Sequence, residues 1–348
     1  MLCYDLSYSS RMRRLSRTAI AVGLVAALGG PAASQSLPDF DSFMILRANG
    51  GGAAAASAEQ AANALKDYDV VFLGELHDHI AGHLAEMALL RALHARVPRI
   101  ALSMEQFERD VQPVVDDYLA GKIGEETLRT KGRAWSNYAE AYRPLIEYAK
   151  DHALPVIAAN APESVVRCVA QEGAGFLSTL SPDKRGWAAA ELHAEDGPYK
   201  KKFLAFLSDD TAHGETRDTE TATDAGERSF AAQVTRDDTM AESIANYLRA
   251  NPGNMVVHVT GAFHVEARLG TIERLKMRAP NLKVALILPA LADNPQAPAM
   301  TMDKAMRADF AILLRPEPES YVTDEERKTA EAGEALRIRA ATSGGCKS

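Results

Sequence analysis

Apolar residues along this chain gather in short, nearly unbroken runs separated by longer stretches of helical spacing. Five such runs are "DVVFLG" (69–74), "RIALSME" (99–105), "LPVIAAN" (154–160), "NMVVHVTG" (254–261) and "LKVALILP" (282–289). Runs of this kind suit strands buried on both faces of a parallel sheet rather than half-exposed hairpins. Between the first two, Leu84, Met87, Leu90, Leu93 and Val97 recur on one helical face, and Pro98 closes the helix. Met240, Ile244 and Leu248 repeat the pattern before the fourth run, ended by "NPG" at 251–253. The alternation predicts an α/β fold, a mostly parallel sheet flanked by helices. A sixth run, "DFAILL" (309–314), reads as an edge strand.

Two helical insertions, about 106–150 and 162–250, interrupt the rhythm and are placed to form a lid-like region. Within the second, "SDDTAHGETRDTETATDAGERS" (208–229) holds almost no large apolar residue and reads as a loop. The expected layout is a single domain over 35–320, followed by a charged, disordered tail at 321–348.

The N-terminus has another character. "RMRRLSRTAIAVGLVAALGGPAASQS" sets Arg11, Arg13, Arg14 and Arg17 before a short apolar run and small residues. This is the pattern of a secretory signal peptide over 1–34, cut near Ser34 or Gln35, with Met1 or Met12 as the start. No cysteine follows the apolar run to carry a lipid anchor, so a periplasmic or secreted protein is expected. Removing residues 1–34, with four Arg and one Asp, moves the formal net charge from -8 to -11. That acidity argues against nucleic acid as a partner. Cys168 and Cys346 would remain, and two distant cysteines do not by themselves establish a disulfide.

The candidate chemistry sits where the strands end. Glu75 and His77 follow the first run, Glu105 ends the second, Asn160 the third, and "GAFH" (261–264) follows the fourth. In open parallel sheets the carboxyl ends of the strands form the ligand crevice, so these positions should meet at one edge. A lone His after a strand is more often a cap than a ligand, and Glu105 could pair with Arg109 or Arg143. His79 and His83 lie four apart on one helical face, a metal-ligand spacing, but His79 reads as part of a solvated helix start. Glu75, His77, Glu105 and His264 together form the candidate set, for a divalent metal or for catalysis.

Longer blocks carry a resemblance. "VVFLGELHD", "LSMEQFERDVQPVVDDYLAG", "AYRPLIEYAKDHALPVIAAN", "QVTRDDTMAESI" and "VTGAFHVEARLG" resemble the ChaN family of haem-binding uptake proteins. That family is grouped with the Tiki proteases, the TraB/PrgY proteins and the erythromycin esterases. The resemblance runs from about Val70 to Leu314 and maps the group's two G-x-x-H turns and its Glu onto His77, His264 and Glu105, with Glu75 in the family's G-E-x-H. The chain departs from the family at Gly82-His83, where two adjacent histidines are common, and in lacking the lipoprotein cysteine of some relatives.

The resemblance implies haem as ligand and a role in iron uptake, with an outer-membrane haem receptor and a homodimer as expected partners. A haem site needs an apolar wall, an axial donor and polar groups for the propionates. "AWSNYAEAYRP" (134–144) offers Trp135, Tyr138 and Tyr142, with Arg143 as a propionate partner. Tyr142 is the expected iron donor over Tyr138, with His264 and His77 as imidazole alternatives. The competing reading is a metal-dependent or His-assisted hydrolase, an esterase or peptidase. Neither a G-x-S-x-G elbow nor an H-E-x-x-H helix is present to strengthen it.

Overall fold

The computed structural model describes residues 36–49, 52–211, 219–303, 307–330, 332, 333 and 346. The segment read as a signal peptide lies outside them. The five apolar runs form β3 (Val70–Glu75), β4 (Ile100–Glu108), β5 (Val156–Asn160), β6 (Met255–Gly261) and β7 (Val284–Leu291). With β1 (Phe43–Asn49), β2 (Gly52–Ala56) and β8 (Phe310–Leu314) they build one sheet in the order β2-β1-β8-β7-β3-β6-β4-β5. All pairings from β8 to β5 are parallel, and only β1 joins its neighbours β2 and β8 antiparallel. β8 is therefore an interior strand and not the edge expected of it. Its outer side is taken by β1, whose "FMILRAN" is too short and mixed to stand out in the sequence.

Helices cover both faces. α1 (Ala58–Leu65) begins at a capping box in which Ser57 and Gln60 satisfy each other's backbone N–H groups. It packs with α2 (Ile80–His94) over one face, where Val71, Leu73, Leu102, Met104, Val257 and Val259 form the larger core. The insertion after β4 adds α3 (Gln112–Leu119), α4 (Glu125–Lys131), α5 (Tyr138–Ala141) and α6 (Arg143–Asp151). α7 (Glu163–Glu172), α8 (Pro182–Arg185), α9 (Pro198–Thr211) and α10 (Thr219–Ala250) follow β5, and α11 (Gly270–Arg278) follows β6. On the opposite face Val70, Phe72, Ala101 and Val256 meet Met240, Ile244 and Leu248 of α10. The strand period of two assigns alternate residues to the two cores.

The polar stretch at 208–229, expected as a loop, is helical at every described residue: 208–211 end α9 and 219–229 begin α10. The helix is anchored further on by Phe230, buried with Tyr199, Phe203 and Phe263, and by Met240 and Ile244. Once that anchor forms, adding polar residues to a helix gains a hydrogen bond per residue without a new nucleus. In the tail, residues 324–330 are helical, and Cys346 is bonded to Cys168 of α7. No described helix is long and apolar enough to cross a membrane.

Gly74 marks where β3 is squeezed between layers. A Cβ there would lie 2.6 Å from Leu288 Cδ2 and 3.3 Å from both Ala262 Cα and Val265 Cγ2. Gly74→Ala should destabilise the fold by about 1–3 kcal/mol, the usual range for overpacking a core. Urea unfolding checks this, and an unchanged midpoint would show that the β7 layer yields freely.

Candidate functional site

The carboxyl ends of β3, β4 and β6 bring the four candidates to one edge of the sheet but divide them between its faces. Glu75 continues the alternation of Val71 and Leu73, so its side chain enters the α2 face. Glu105 continues Ala101 and Ser103 and enters the α10 face, as does Thr260 on β6. Between Met104 and Glu108 the pairing of β4 with β5 shifts register, a bulge that re-aims the strand end. By the ordinary alternation of a strand, consecutive residues Glu105 and Gln106 serve the two halves.

On the α2 face, Glu75 is fully enclosed. Its Oε1 accepts hydrogen bonds from Gln106 Nε2 at 2.7 Å, Tyr142 OH at 2.9 Å and His77 Nδ1 at 2.7 Å. Its Oε2 lies 3.5 Å from His83 Nδ1, which also stands 3.1 Å from Glu86 Oε2. Burial works against the charge on Glu75, yet the His77 hydrogen bond and charge hold its pKa below the ordinary value. Burial pushes Glu86 up to about 7, helped by the charge of Glu75 beside it. His83 donates through Nε2 to the backbone carbonyl of His77 at 2.9 Å. Burial would depress His83, but Glu86 and Glu75 outweigh it and raise the imidazole to about 10.

On the α10 face, Glu105 Oε2 accepts from Thr260 Oγ1 at 2.6 Å and from the Gly261 N–H at 2.8 Å. Its Oε1 is 3.4 Å from His264 Nε2. His264 Nδ1 donates to Asp237 Oδ1 at 2.8 Å, and Asp237 is held in turn by Tyr199 OH and Thr271 Oγ1. Burial opposes the imidazolium, but Glu105 and Asp237 raise His264 to about 10. Both ring nitrogens of His264 thus face carboxylates, Nδ1 that of Asp237 and Nε2 that of Glu105.

His77 joins the halves. One ring nitrogen is fixed by Glu75, and the other lies so close to Gly261 that a Cβ there would sit 2.7 Å from it and 3.7 Å from Glu105 Oε2. Gly261 thus gives the ring room to pass over the end of β6. Trp135 meets His77 edge-on at 5.0 Å, and Asn137 donates to the His77 carbonyl at 2.8 Å. Solvent reaches the cluster at His77, whose side chain is 21% exposed, while Glu75, Glu105 and His264 are buried.

Other candidates fall outside this arrangement or beneath it. Tyr142 is wholly buried with its hydroxyl committed to Glu75, and burial raises its pKa well above the ordinary value. Tyr138 is equally enclosed, and burial raises its pKa too, away from the phenolate. Neither tyrosine faces a surface where a porphyrin could lie. Arg143 pairs with Glu125 at the surface rather than with Glu105, and Arg109 binds Glu242 and Ser243. Asn160 uses its side-chain oxygen on the Ala161 N–H. His79 is not solvated: it is buried and donates through Nε2 to the Arg315 carbonyl at 2.8 Å.

Sequence reasoning misses Glu86, Gln106, Tyr199, Asp237 and Thr260. Glu86 has a readable signal, a carboxylate among the buried positions of α2, three residues after His83. Asp237 lies within the quoted "QVTRDDTMAESI", but nothing in the sequence pairs it with His264.

A family model described as haem-binding uptake, Tiki superfamily, ChaN matches residues 61–275. The chain belongs to this family. Its fold is shared with a solved structure titled cofacial heme binding to ChaN of Campylobacter jejuni, at a TM-score of 0.57 and 14% identity, covering 78% of this chain and 97% of that one. A mutant of the erythromycin esterase EreC, in its open conformation, is similar at a TM-score of 0.40 and 13% identity, covering 78% of this chain and 82% of that one. The chloroplastic protein RETICULATA-RELATED 5 of Arabidopsis thaliana is 27% identical over 210 residues, 57% of this chain. The chain spans 27% of that plant protein's length.

His77, His83 and His264 all have raised pKa values, and the two that reach about 10 make stability depend on pH in a defined sense. A folded pKa above the ordinary value near 6.5 gives stabilisation that is complete below about 6.5 and is lost as pH rises through about 10. The melting temperature should therefore fall between about pH 8 and 10, and His264→Asn should start lower but fall less steeply over that range. Parallel melting curves for the two proteins would show His264 to be uncharged in the fold.

Proposed function

We propose that this protein is an exported haem-binding protein of the ChaN type that serves haem and iron uptake. The family match over residues 61–275 carries the reading. The surface next to His77 supports it. Ile80 and Leu84, one turn apart at the start of α2, are 48% and 44% exposed and offer apolar surface of the kind a porphyrin covers. His77 suits an imidazole donor to haem iron, because Glu75 fixes one ring nitrogen and leaves the other without that partner. Tyr142 and Tyr138 do not fit that role while buried. Bound haem would supply the iron and the redox chemistry; the chain supplies the apolar surface and the oriented imidazole.

Hemin titration of the mature protein tests this, with saturable binding expected. His77→Ala should weaken binding by about 10-fold or more and shift the Soret band, whereas Tyr142→Phe should leave the band in place. Absence of saturation would remove the haem reading; a shift confined to Tyr142→Phe would transfer the donor role to that residue.

Export rests on the Arg-rich segment before the apolar run of 18–28 and gains support from the Cys168–Cys346 disulfide, which suits an oxidising compartment. An outer-membrane haem receptor is the partner that this route calls for. Mass spectrometry of the periplasmic fraction should find a chain beginning near Gln35. An uncleaved, membrane-held N-terminus would contradict it.

A further inference from the structure

We propose that Glu75, His83 and Glu86 form a binding site for a divalent transition-metal ion, distinct from the Glu105–His264 pair and sharing with the haem surface only Glu75, whose other oxygen orients His77. One oxygen or nitrogen from each residue lies within 4.8 Å of the others, and all three side chains are buried. His83 and Glu86 stand three residues apart on α2 and face the end of β3 together.

The atoms are already sorted into ligands and supports. His83 Nε2 faces a carbonyl, an acceptor only, so it carries the hydrogen, and in the neutral ring the lone pair resides on Nδ1. Nδ1 is the atom aimed at Glu75 Oε2, 3.5 Å away, and at Glu86 Oε2, 3.1 Å away. Ligands bonded at about 2.1 Å to one ion are separated by about 3.0 Å in octahedral and 3.4 Å in tetrahedral geometry. The observed spacings fall close to those values. The His77 carbonyl holds the imidazole as an outer-shell acceptor, the usual support of a ligating histidine.

The carboxylates point the same way. His77, Gln106 and Tyr142 all donate to Glu75 Oε1, and Glu75 Oε2 is left without a hydrogen-bond partner. Glu86 Oε1 is also buried without one. Enclosed carboxylate oxygens with unused lone pairs are costly unless a proton or a cation meets them. Two carboxylates and a neutral imidazole balance a divalent charge. The mixed oxygen and nitrogen donor set suits manganese, ferrous iron, cobalt or zinc over calcium or magnesium. A proton on His83 is the competing occupant, so metal binding releases it.

The test is metal analysis of the full mature chain, purified without a chelating column, dialysed against EDTA and reloaded with Mn2+ or Zn2+. A stoichiometric ion and a raised melting temperature are expected. Glu86→Gln and His83→Asn should lose the ion, while His264→Asn should retain it. Loss in His264→Asn with retention in Glu86→Gln would place the ion in the other half of the site and overturn the proposal, as would failure of the wild type to take up either metal. Should the buried variants not fold, an anomalous-scattering map of wild-type crystals soaked in Mn2+ decides: a peak between Glu75, His83 and Glu86 supports the site, and its absence refutes it.

Discussion

A single buried carboxylate holds the edge of this molecule together. Glu75 ends the central strand β3 and accepts from β4 through Gln106, from the first insertion through Tyr142, and from its own following turn through His77. Removing any one donor would leave charge enclosed with less to satisfy it, and removing Glu75 would strand three donors at once. Breaking one member of a buried ionic network typically costs about 3–5 kcal/mol, because the partners stay desolvated. The placement of α2, the insertion and the His77 turn all answer to this one side chain.

The pleat of the sheet then decides what can work together. Glu75 and Glu105 end neighbouring parts of the sheet but project to opposite faces, so each gathers its own histidine: His83 on one side, His264 on the other. His77 passes over the top, where Gly261 leaves space for it. The result is two enclosed acid–imidazole groups with one partly exposed ring between them.

Much of this is legible in the sequence, and the limits have physical causes. Continuous apolar runs identify β3 to β8 because strands buried on both faces cannot alternate. β2, "GAAAA", cannot be read, since its alanines and glycine lack the bulk that marks a strand. β8 looks like an edge because the antiparallel β1 that covers it is itself a weak signal. The strand-end positions of Glu75, His77, Glu105 and His264 are readable, but which layer each strand face meets depends on how the helices pack in three dimensions. Tyr142 shows the deepest limit: a hydroxyl that could serve a ligand and one that serves a buried carboxylate look identical in sequence.

The bond between Cys168 and Cys346 joins positions separated by 178 residues, drawing a residue far along the chain back to α7 at the start of the second insertion. Which covalent form of the protein exists then depends on where it is made. Production in a reducing cytosol would yield a dithiol with a buried thiol on α7, while passage through an oxidising space would yield a closed loop. Material from the two sources would share one sequence and differ in topology.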